Sequence, residues 1–331
     1  MPHNSVCICV QPRIHLGLLS MHGGAPRLNG GVGFAVDQPT ARIEVAESSH
    51  LSVQDNRQVP MAPCELTQLA RCVEAFALKH RLSACIDIRI TGDMLTHVGM
   101  GSATGLRLGA IEALAIVNNF VAVRQVLVGA SERGGTSGIG INSYFDGGLL
   151  CDLGRPNDGQ RFVPSSTARA TRLPFALPAV AMPSWPLLLC IPRWIHPKTQ
   201  QEEIEFFERT TPLPAPASFE ASYVALFEIY AAAAESDYSA FCHGVMRMQQ
   251  TAWKRAERGQ YGDRFETLAA TLEEAGADCV GMSSLGPMLF CFAPPAGISG
   301  IANVASVMDC DVYRATPANH GRKLSIGQCV S

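Results

Sequence analysis

The sequence predicts an α+β fold. Three observations carry that prediction: strand-like alternation comes first, helical spacing dominates the middle, and short apolar strands return beyond residue 280. Hydrophobic residues make up 47% of the 331 and charged residues 17%, so the chain can bury a substantial core and is too apolar for long disorder. Its length suits one large domain or two fused ones.

Residues 6–19 alternate as a strand, and 30–47 read as two more, broken near Gln38-Pro39. Glu65 to Leu82 has helical spacing through Leu66, Leu69, Val73, Phe76 and Ala77, and Ala84 to Ile90 is again strand-like. From Ser102 to Val117 the apolar positions predict a helix with one continuous buried stripe. Gly134 to Gly140 reads as a glycine-rich loop and Gly147 to Leu153 as a strand. Prolines between 156 and 186 separate this half from the next. Leu187 to Ile191, boxed in by Pro186 and Pro192, predicts a buried strand, and 200–210 a charged helix. Pro212, Pro214 and Pro216 predict a break before helices at 218–235, 237–250 and 262–276. Strands at 285–292 and 310–316, with a short helix between them, complete the pattern.

Composition excludes several classes. A formal net charge of −3 argues against a general nucleic-acid binder, which carries a basic surplus or stripe. No basic n-region precedes a long apolar run at the N-terminus, and no apolar stretch reaches the roughly 18 residues of a membrane span. The twelve cysteines are scattered. Cys7 and Cys9 form C-x-C, but no second pair sits at metal spacing, so the thiols read as small buried hydrophobes in a reducing cytoplasm.

The most informative segment is His97-Val-Gly-Met-Gly-Ser-Ala-Thr-Gly105, between a strand and a long helix. Gly99 and Gly101 let backbone approach a ligand, the helix start offers free N–H groups with a positive dipole end, and Ser102 and Thr104 add hydroxyls. Such a loop binds phosphate or carboxylate, although glycines before helices also serve as plain turns. It is neither a Walker A loop, lacking Gly-Lys-Ser/Thr, nor a dinucleotide fingerprint.

Arg13 and His15 lie two apart on a predicted strand and so share a face. With His22 and Arg27 in the following loop they suit a sugar phosphate, or else mark a solvated edge strand. Glu132 to Gly140 can form an anion nest or a flexible connection. Ser283 and Ser284 precede an apolar strand and suit a ligand or an ordinary turn. Asp146 and Asp152 flank a strand and could hold magnesium, or could merely cap and solvate. There is no G-x-S-x-G elbow and no H-E-x-x-H, and the four lysines, Lys79, Lys198, Lys254 and Lys323, avoid the glycine-rich loops.

In order, these stretches resemble one family. Arg13-Ile-His-Leu with Arg27-Leu-Asn-Gly-Gly-Val-Gly-Phe34, the loop from His97, Ser137-Gly-Ile-Gly-Ile with Phe145-Asp-Gly-Gly148, and Gly281-Met-Ser-Ser-Leu-Gly-Pro287 are similar to four blocks of the β-ribofuranosylaminobenzene 5′-phosphate synthases. That resemblance implies a GHMP fold with an N-terminal ribosomal-protein-S5-like domain (1–160) and a C-terminal ferredoxin-like domain (161–331), the site lying in the cleft between them. It implies a decarboxylating phosphoribosyltransferase of methanopterin biosynthesis, joining phosphoribosyl pyrophosphate, as its Mg2+ complex, to 4-aminobenzoate or 4-hydroxybenzoate. It also implies a cytoplasmic homodimer. Arg13, His15, Arg27 and His97 are the expected catalytic residues. Asn29, Gly30, Gly31, Gly99, Gly101, Ser102, Thr104, Arg133, Ser137, Gly138, Ser283 and Ser284 are the expected substrate contacts. The metal ligands are left open.

The pattern departs from the family at Ser20 and Asn29, where acids are expected, and at Gly105 and Met282, where glutamine is expected. Two other readings stand beside the synthase: a small-molecule kinase using the same loop for ATP, and a non-catalytic ligand-binding protein on the same scaffold.

Overall fold

The computed structural model describes residues 4–159, 161–165, 167 and 173–328. The strand expected at 6–19 is two, β1 (Asn4–Val10) and β2 (Arg13–Ser20), which enter different sheets. Pro12 between them lacks the N–H a continuous ladder needs. β3 (Arg27–Ala35) and β4 (Ala41–Glu47) follow as expected, and a short β5 (Ser52–Asp55) has no strong alternation to announce it. α1 (Pro63–His80) opens on Pro63, whose missing N–H is no loss in a first turn, and Glu65 accepts the Ala62 N–H at 3.0 Å. β6 (Ile86–Gly92) leads into α2 (Ser102–Val117).

α2 departs from the single-stripe expectation, being buried on nearly every side. Gly105 and Gly109 explain how. A Cβ at Gly105 would meet Val10 Cγ1 at 2.4 Å, and one at Gly109 would meet Ile43 Cδ1 at 2.3 Å, so the two glycines let the helix lie against β1 and β4. A glutamine at 105 would not fit. The one buried acid of α2, Glu112, is met by the Tyr144 hydroxyl at 2.5 Å and by the Arg322 guanidinium at 2.9 Å. That pairing offsets the cost of taking its charge out of water.

α3 (Arg124–Ser131) and α4 (Ile139–Phe145) are short, and α4 begins inside the segment expected to be a loop. β7 (Leu149–Asp152) and β8 (Arg155–Pro156) end this half. β9 (Leu187–Pro192) and α5 (Gln200–Thr210) match their expectations, α5 starting on a Thr199–Glu202 capping box. Pro216 lies in the first turn of α6 (Ala215–Tyr223) and does not extend the break. A π-helical stretch, Val224–Tyr230, and α7 (Ala231–Glu235) continue the same helix. α8 (Tyr238–Gln249), α9 (Ala252–Arg258) and α10 (Asp263–Glu274) come next. The strand expected at 285–292 is shorter, β11 being Leu289–Phe292, and a turn joins it to β10 (Cys279–Met282), which was not expected. α11 (Ile298–Val307), β12 (Cys310–Ala315) and β13 (Lys323–Gln328) complete the described chain.

Three sheets result. The first has the order β13–β1–β4–β6–β5, antiparallel except where β5 meets β6. The second, β2–β3–β7, carries β8 against β3, and the third runs β10–β11–β9–β12. The largest apolar core is continuous from α2 and the first sheet through Phe34 to Phe241, Phe290 and Phe292 of the later half. β2 and the turn after β10 are thereby held against the start of α2.

Candidate active site

Four segments distant in sequence converge there. β2 contributes Arg13 and His15, which share a face as their spacing requires and line the same pocket. His15 is 6% exposed, so the solvated-edge reading does not hold. The segment before α2 arches over them with His97, Gly99 and Gly101 all at positive φ. Gly101 is needed where it stands, since a Cβ there would come within 3.0 Å of Arg13 Nε. No side chain caps α2, so its first N–H groups and dipole end face the cleft, beside Ser102 and Thr104.

Arg13 is fastened into this arch. Its guanidinium donates to the Gly99 carbonyl and its backbone N–H to the Met100 carbonyl at 2.9 Å. Its buried Nε has no acceptor among the described residues. Burial draws the Arg13 pKa down to about 10, which leaves it cationic at neutral pH. The turn after β10 braces the arrangement. Ser283 Oγ accepts the His15 N–H at 3.0 Å and donates to the Gly99 carbonyl at 2.7 Å, while the Ser284 N–H donates to the His15 carbonyl at 2.8 Å.

His15 heads a polar chain. Its Nε2 lies 3.2 Å from Ser137 Oγ, and Ser137 donates to Asp152 at 3.1 Å. With the one hydroxyl proton so used, Nε2 carries the imidazole proton and donates to Ser137. Burial, then Arg13 and Lys254, hold the His15 pKa well below the ordinary imidazole value, so the ring is neutral. Gly31 makes room for this contact: a Cβ there would lie 2.8 Å from His15 Nε2 and 2.9 Å from Ser137 Oγ. Asp152 also accepts the Gly138 N–H at 2.9 Å and the Gly154 N–H at 3.0 Å, yet burial lifts its pKa to about 6.

Two cavities that share Arg13, Thr104, Ser284 and Leu285 in their walls open from this junction. The larger, about 440 Å³, is lined by Arg13, His97, Arg107, Arg133 and Lys198, with Glu65 and Glu203 beside them. Arg133 donates to the Ser165 carbonyl at 3.1 Å, and its buried Nε has no acceptor among the described residues. Burial, then the neighbouring Arg107, lower the Arg133 pKa to about 10. His97 is paired with Glu65, which raises its pKa. The smaller cavity, about 80 Å³, has Arg13, His15, Ser137 and Glu257 on its polar side and Leu18, Phe207 and Leu285 on its apolar side.

Several expected site residues stand behind the cleft rather than in it. Arg27 donates to the carbonyls of Leu153 at 2.8 Å and Gly154 at 2.6 Å, so it ties β3 to the β7–β8 connection and lines neither cavity. Asn29 is buried at positive φ and donates to the Gly135 carbonyl at 3.4 Å. Gly30 lies against the Asp152 and Gly154 backbone, and Gly138 serves Asp152. Ser20, where an acid was expected, donates to the Arg27 carbonyl at 2.7 Å. The magnesium pair does not form: Asp146 meets Arg124 at 2.8 Å on the surface, whereas Asp152 is buried. Among the described residues no group of three potential ligands could hold a metal ion.

Lys254 and Glu257 are the residues that sequence reasoning missed at the site, and Asp152, weighed there as a magnesium ligand, instead ends the chain from His15 through Ser137. Lys254 is fully buried, donates to the Ser284 carbonyl at 3.0 Å and lies 2.6 Å from Glu257. In the sequence, Lys254-Arg-Ala-Glu-Arg258 is indistinguishable from a solvated helix surface. Only Trp253 beside it hints at burial.

The sequence matches no family model. It is 28% identical over 279 residues to the beta-ribofuranosylphenol 5'-phosphate synthase of Archaeoglobus fulgidus, the match covering 84% of each chain. It is also 28% identical over 302 residues to the protein of the same name from Methanothermobacter thermautotrophicus, covering 89% of this chain and 91% of that one. The four-block resemblance thus extends to nearly the whole chain. Among solved structures, a putative sugar kinase from Campylobacter jejuni aligns with a TM-score of 0.72 at 11% identity over 99% of both chains. A homoserine kinase from Cytophaga hutchinsonii aligns at 0.69 and 15% identity over 97% of both. The fold is the GHMP fold.

Proposed function

We propose that this chain, a relative of the archaeal beta-ribofuranosylphenol 5'-phosphate synthases, joins phosphoribosyl pyrophosphate to a 4-substituted benzoate as a C-riboside, releasing carbon dioxide and pyrophosphate. One observation carries the reading. Arg13 and Arg133, each with a buried Nε that has no acceptor among the described residues, line the same cavity as the uncapped start of α2. Two mostly buried arginines beside a free helix start are a setting that a polyphosphorylated ligand matches.

The donor therefore occupies the larger cavity, with Arg13, Arg107, Arg133 and Lys198 around its phosphates. The aromatic acceptor occupies the smaller one, between the apolar wall of Leu18, Phe207 and Leu285 and the polar side. Arg13 lines both and stands where the two substrates meet. As pyrophosphate leaves, positive charge develops at the anomeric carbon, and fixed cations on the departing oxygens lower that barrier. The ring carbon bearing the carboxylate attacks, the electron pair being supplied by the para substituent. Loss of carbon dioxide then restores aromaticity. No enzyme nucleophile is required.

Magnesium enters with the pyrophosphate in this reading, and among the described residues no group of three potential ligands forms a cage for it. The relatives' names specify a phenol, which favours 4-hydroxybenzoate over 4-aminobenzoate. A homodimer belongs to the same reading. It is supported by an exposed aromatic row, Phe219, Tyr223 and Phe227, the last two stacked at 4.9 Å.

Pyrophosphate release from magnesium phosphoribosyl pyrophosphate, measured with each benzoate, tests the proposal. Release that depends on a benzoate, with an equal amount of carbon dioxide, is expected. No release with either benzoate overturns it.

A further inference from the structure

We propose that Glu257 accepts the para-hydroxyl proton of a phenolic acceptor, and that Lys254 and Trp253 hold its carboxylate in place for that task. The proposal rests on the synthase reading above and assigns a residue that no motif announced.

The geometry is specific. Glu257 is 3% exposed, yet it lines the smaller cavity beside Arg13, His15 and Ser284. Its two oxygens are steered from the protein side. The Trp253 indole N–H donates to Oε1 at 2.7 Å, and Lys254 Nζ lies 2.6 Å from Oε2. Lys254 is itself anchored on the Ser284 carbonyl at 3.0 Å, in the same turn that braces His15. A carboxylate so placed has lone pairs left for a ligand hydroxyl.

Charge balance supports the role. The titratable groups around Glu257 include Arg13, His15, Lys254, Tyr261 and, across the pocket on α5, Glu203. Burial raises the Glu257 pKa, opposed first by Lys254 and then by Trp253 and Arg13. A carboxylate made more basic than usual is a better proton acceptor for a phenol. His15 is the obvious rival, but burial, then Arg13 and Lys254, hold its pKa well below the ordinary imidazole value, which makes its ring a weak proton acceptor. His97 lines only the larger cavity, paired with Glu65.

The step balances. The phenolic O–H bond breaks and its proton passes to a Glu257 oxygen. The oxygen electron pair moves into the ring, the carboxylate-bearing carbon bonds to the anomeric carbon, and pyrophosphate departs with the C–O electron pair. The C–CO2 bond then breaks, its electrons restore the aromatic ring and the phenolate oxygen, and Glu257 returns the proton. An arylamine needs no such acceptor, because its neutral nitrogen is a much stronger electron donor to the ring than a neutral phenol oxygen.

The decisive experiment compares turnover of 4-hydroxybenzoate and 4-aminobenzoate, with magnesium phosphoribosyl pyrophosphate, by the wild-type protein and Glu257→Gln. Expected is a loss of about 10²–10³ in kcat with 4-hydroxybenzoate but less than about tenfold with 4-aminobenzoate. The acid limb of the pH profile should also vanish for the phenol. Equal losses, or none, overturn the assignment, as does wild-type turnover of the amine alone. If Glu257→Gln does not fold, Trp253→Phe replaces it. Removing the indole donor raises the carboxyl pKa, so the acid limb must move to higher pH with the phenol, and an unmoved limb overturns the proposal. A wild-type protein inert with both benzoates overturns the synthase reading itself, and this assignment with it.

Discussion

His15 and Ser283 are 268 residues apart in sequence and 3.0 Å apart across one hydrogen bond, from the His15 backbone N–H to the Ser283 hydroxyl oxygen. The same hydroxyl donates to the Gly99 carbonyl, so one buried serine joins β2, the arch before α2 and the turn after β10. Ser283→Ala leaves a buried N–H without its acceptor and frees the arch. We expect a loss of about 1–3 kcal/mol in stability, read from urea denaturation. A raised donor KM should accompany it.

Arg13 and Arg27 were expected to act alike, and their surroundings separate them. Arg13→Met removes the charge at the junction of the two cavities. A fall in kcat/KM of about 10²-fold or more is expected, with folding retained. Arg27→Ala removes two hydrogen bonds to backbone carbonyls, so stability should fall by about 1–3 kcal/mol while the donor KM stays unchanged. Steady-state kinetics beside denaturation curves distinguish the two outcomes.

His97 gives donor binding a pH dependence. Glu65 raises the His97 pKa, so the imidazolium is fully present below that pKa and is lost as pH rises through it. Affinity for the polyanionic donor should therefore weaken as pH rises across the neutral range. Glu65→Gln should move that weakening to lower pH, and His97→Gln should remove it. Donor titrations at several pH values read the effect directly.

Asp152 makes a prediction about stability. Its folded pKa is raised to about 6 from an ordinary 3.8, mainly by burial. A raised carboxyl favours the folded state most below the unfolded value, and that contribution is lost as pH climbs through 6. The difference corresponds to ~3 kcal/mol. The stability gap between wild type and Asp152→Asn should shift by about that amount between pH 4 and pH 7, the wild type losing ground as pH rises. A gap independent of pH would show that the carboxyl is not the titrating group.

Much of the fold was legible because long periodic segments announce themselves. α2 and α5 coincide with their expected spans, and the proline-bounded strand at 187 is where the pattern put it. Short elements escaped. α9 is seven residues long, too short for two full periods of an apolar face, and it carries both Lys254 and Glu257. α4 was hidden by the glycines that precede it.

The site was legible in part for a related reason. Glycines that permit close approach look the same whether they admit a ligand or a protein atom. Gly101 makes way for Arg13 in the cleft, whereas Gly30 makes way for the Asp152 backbone behind it. Only three-dimensional neighbours tell such cases apart.

Pairing of β1 with β13 has a consequence for synthesis. Ser5 donates to the Gly327 carbonyl, 322 residues later, and six residue pairs join the two strands. While the ribosome is still translating the middle of the chain, β1 has a neighbour on only one side. The first sheet therefore keeps a sticky border until β13 clears the exit tunnel. Stalled or prematurely terminated chains that stop before residue 323 would carry that border permanently, and they are the natural targets for chaperone capture and degradation.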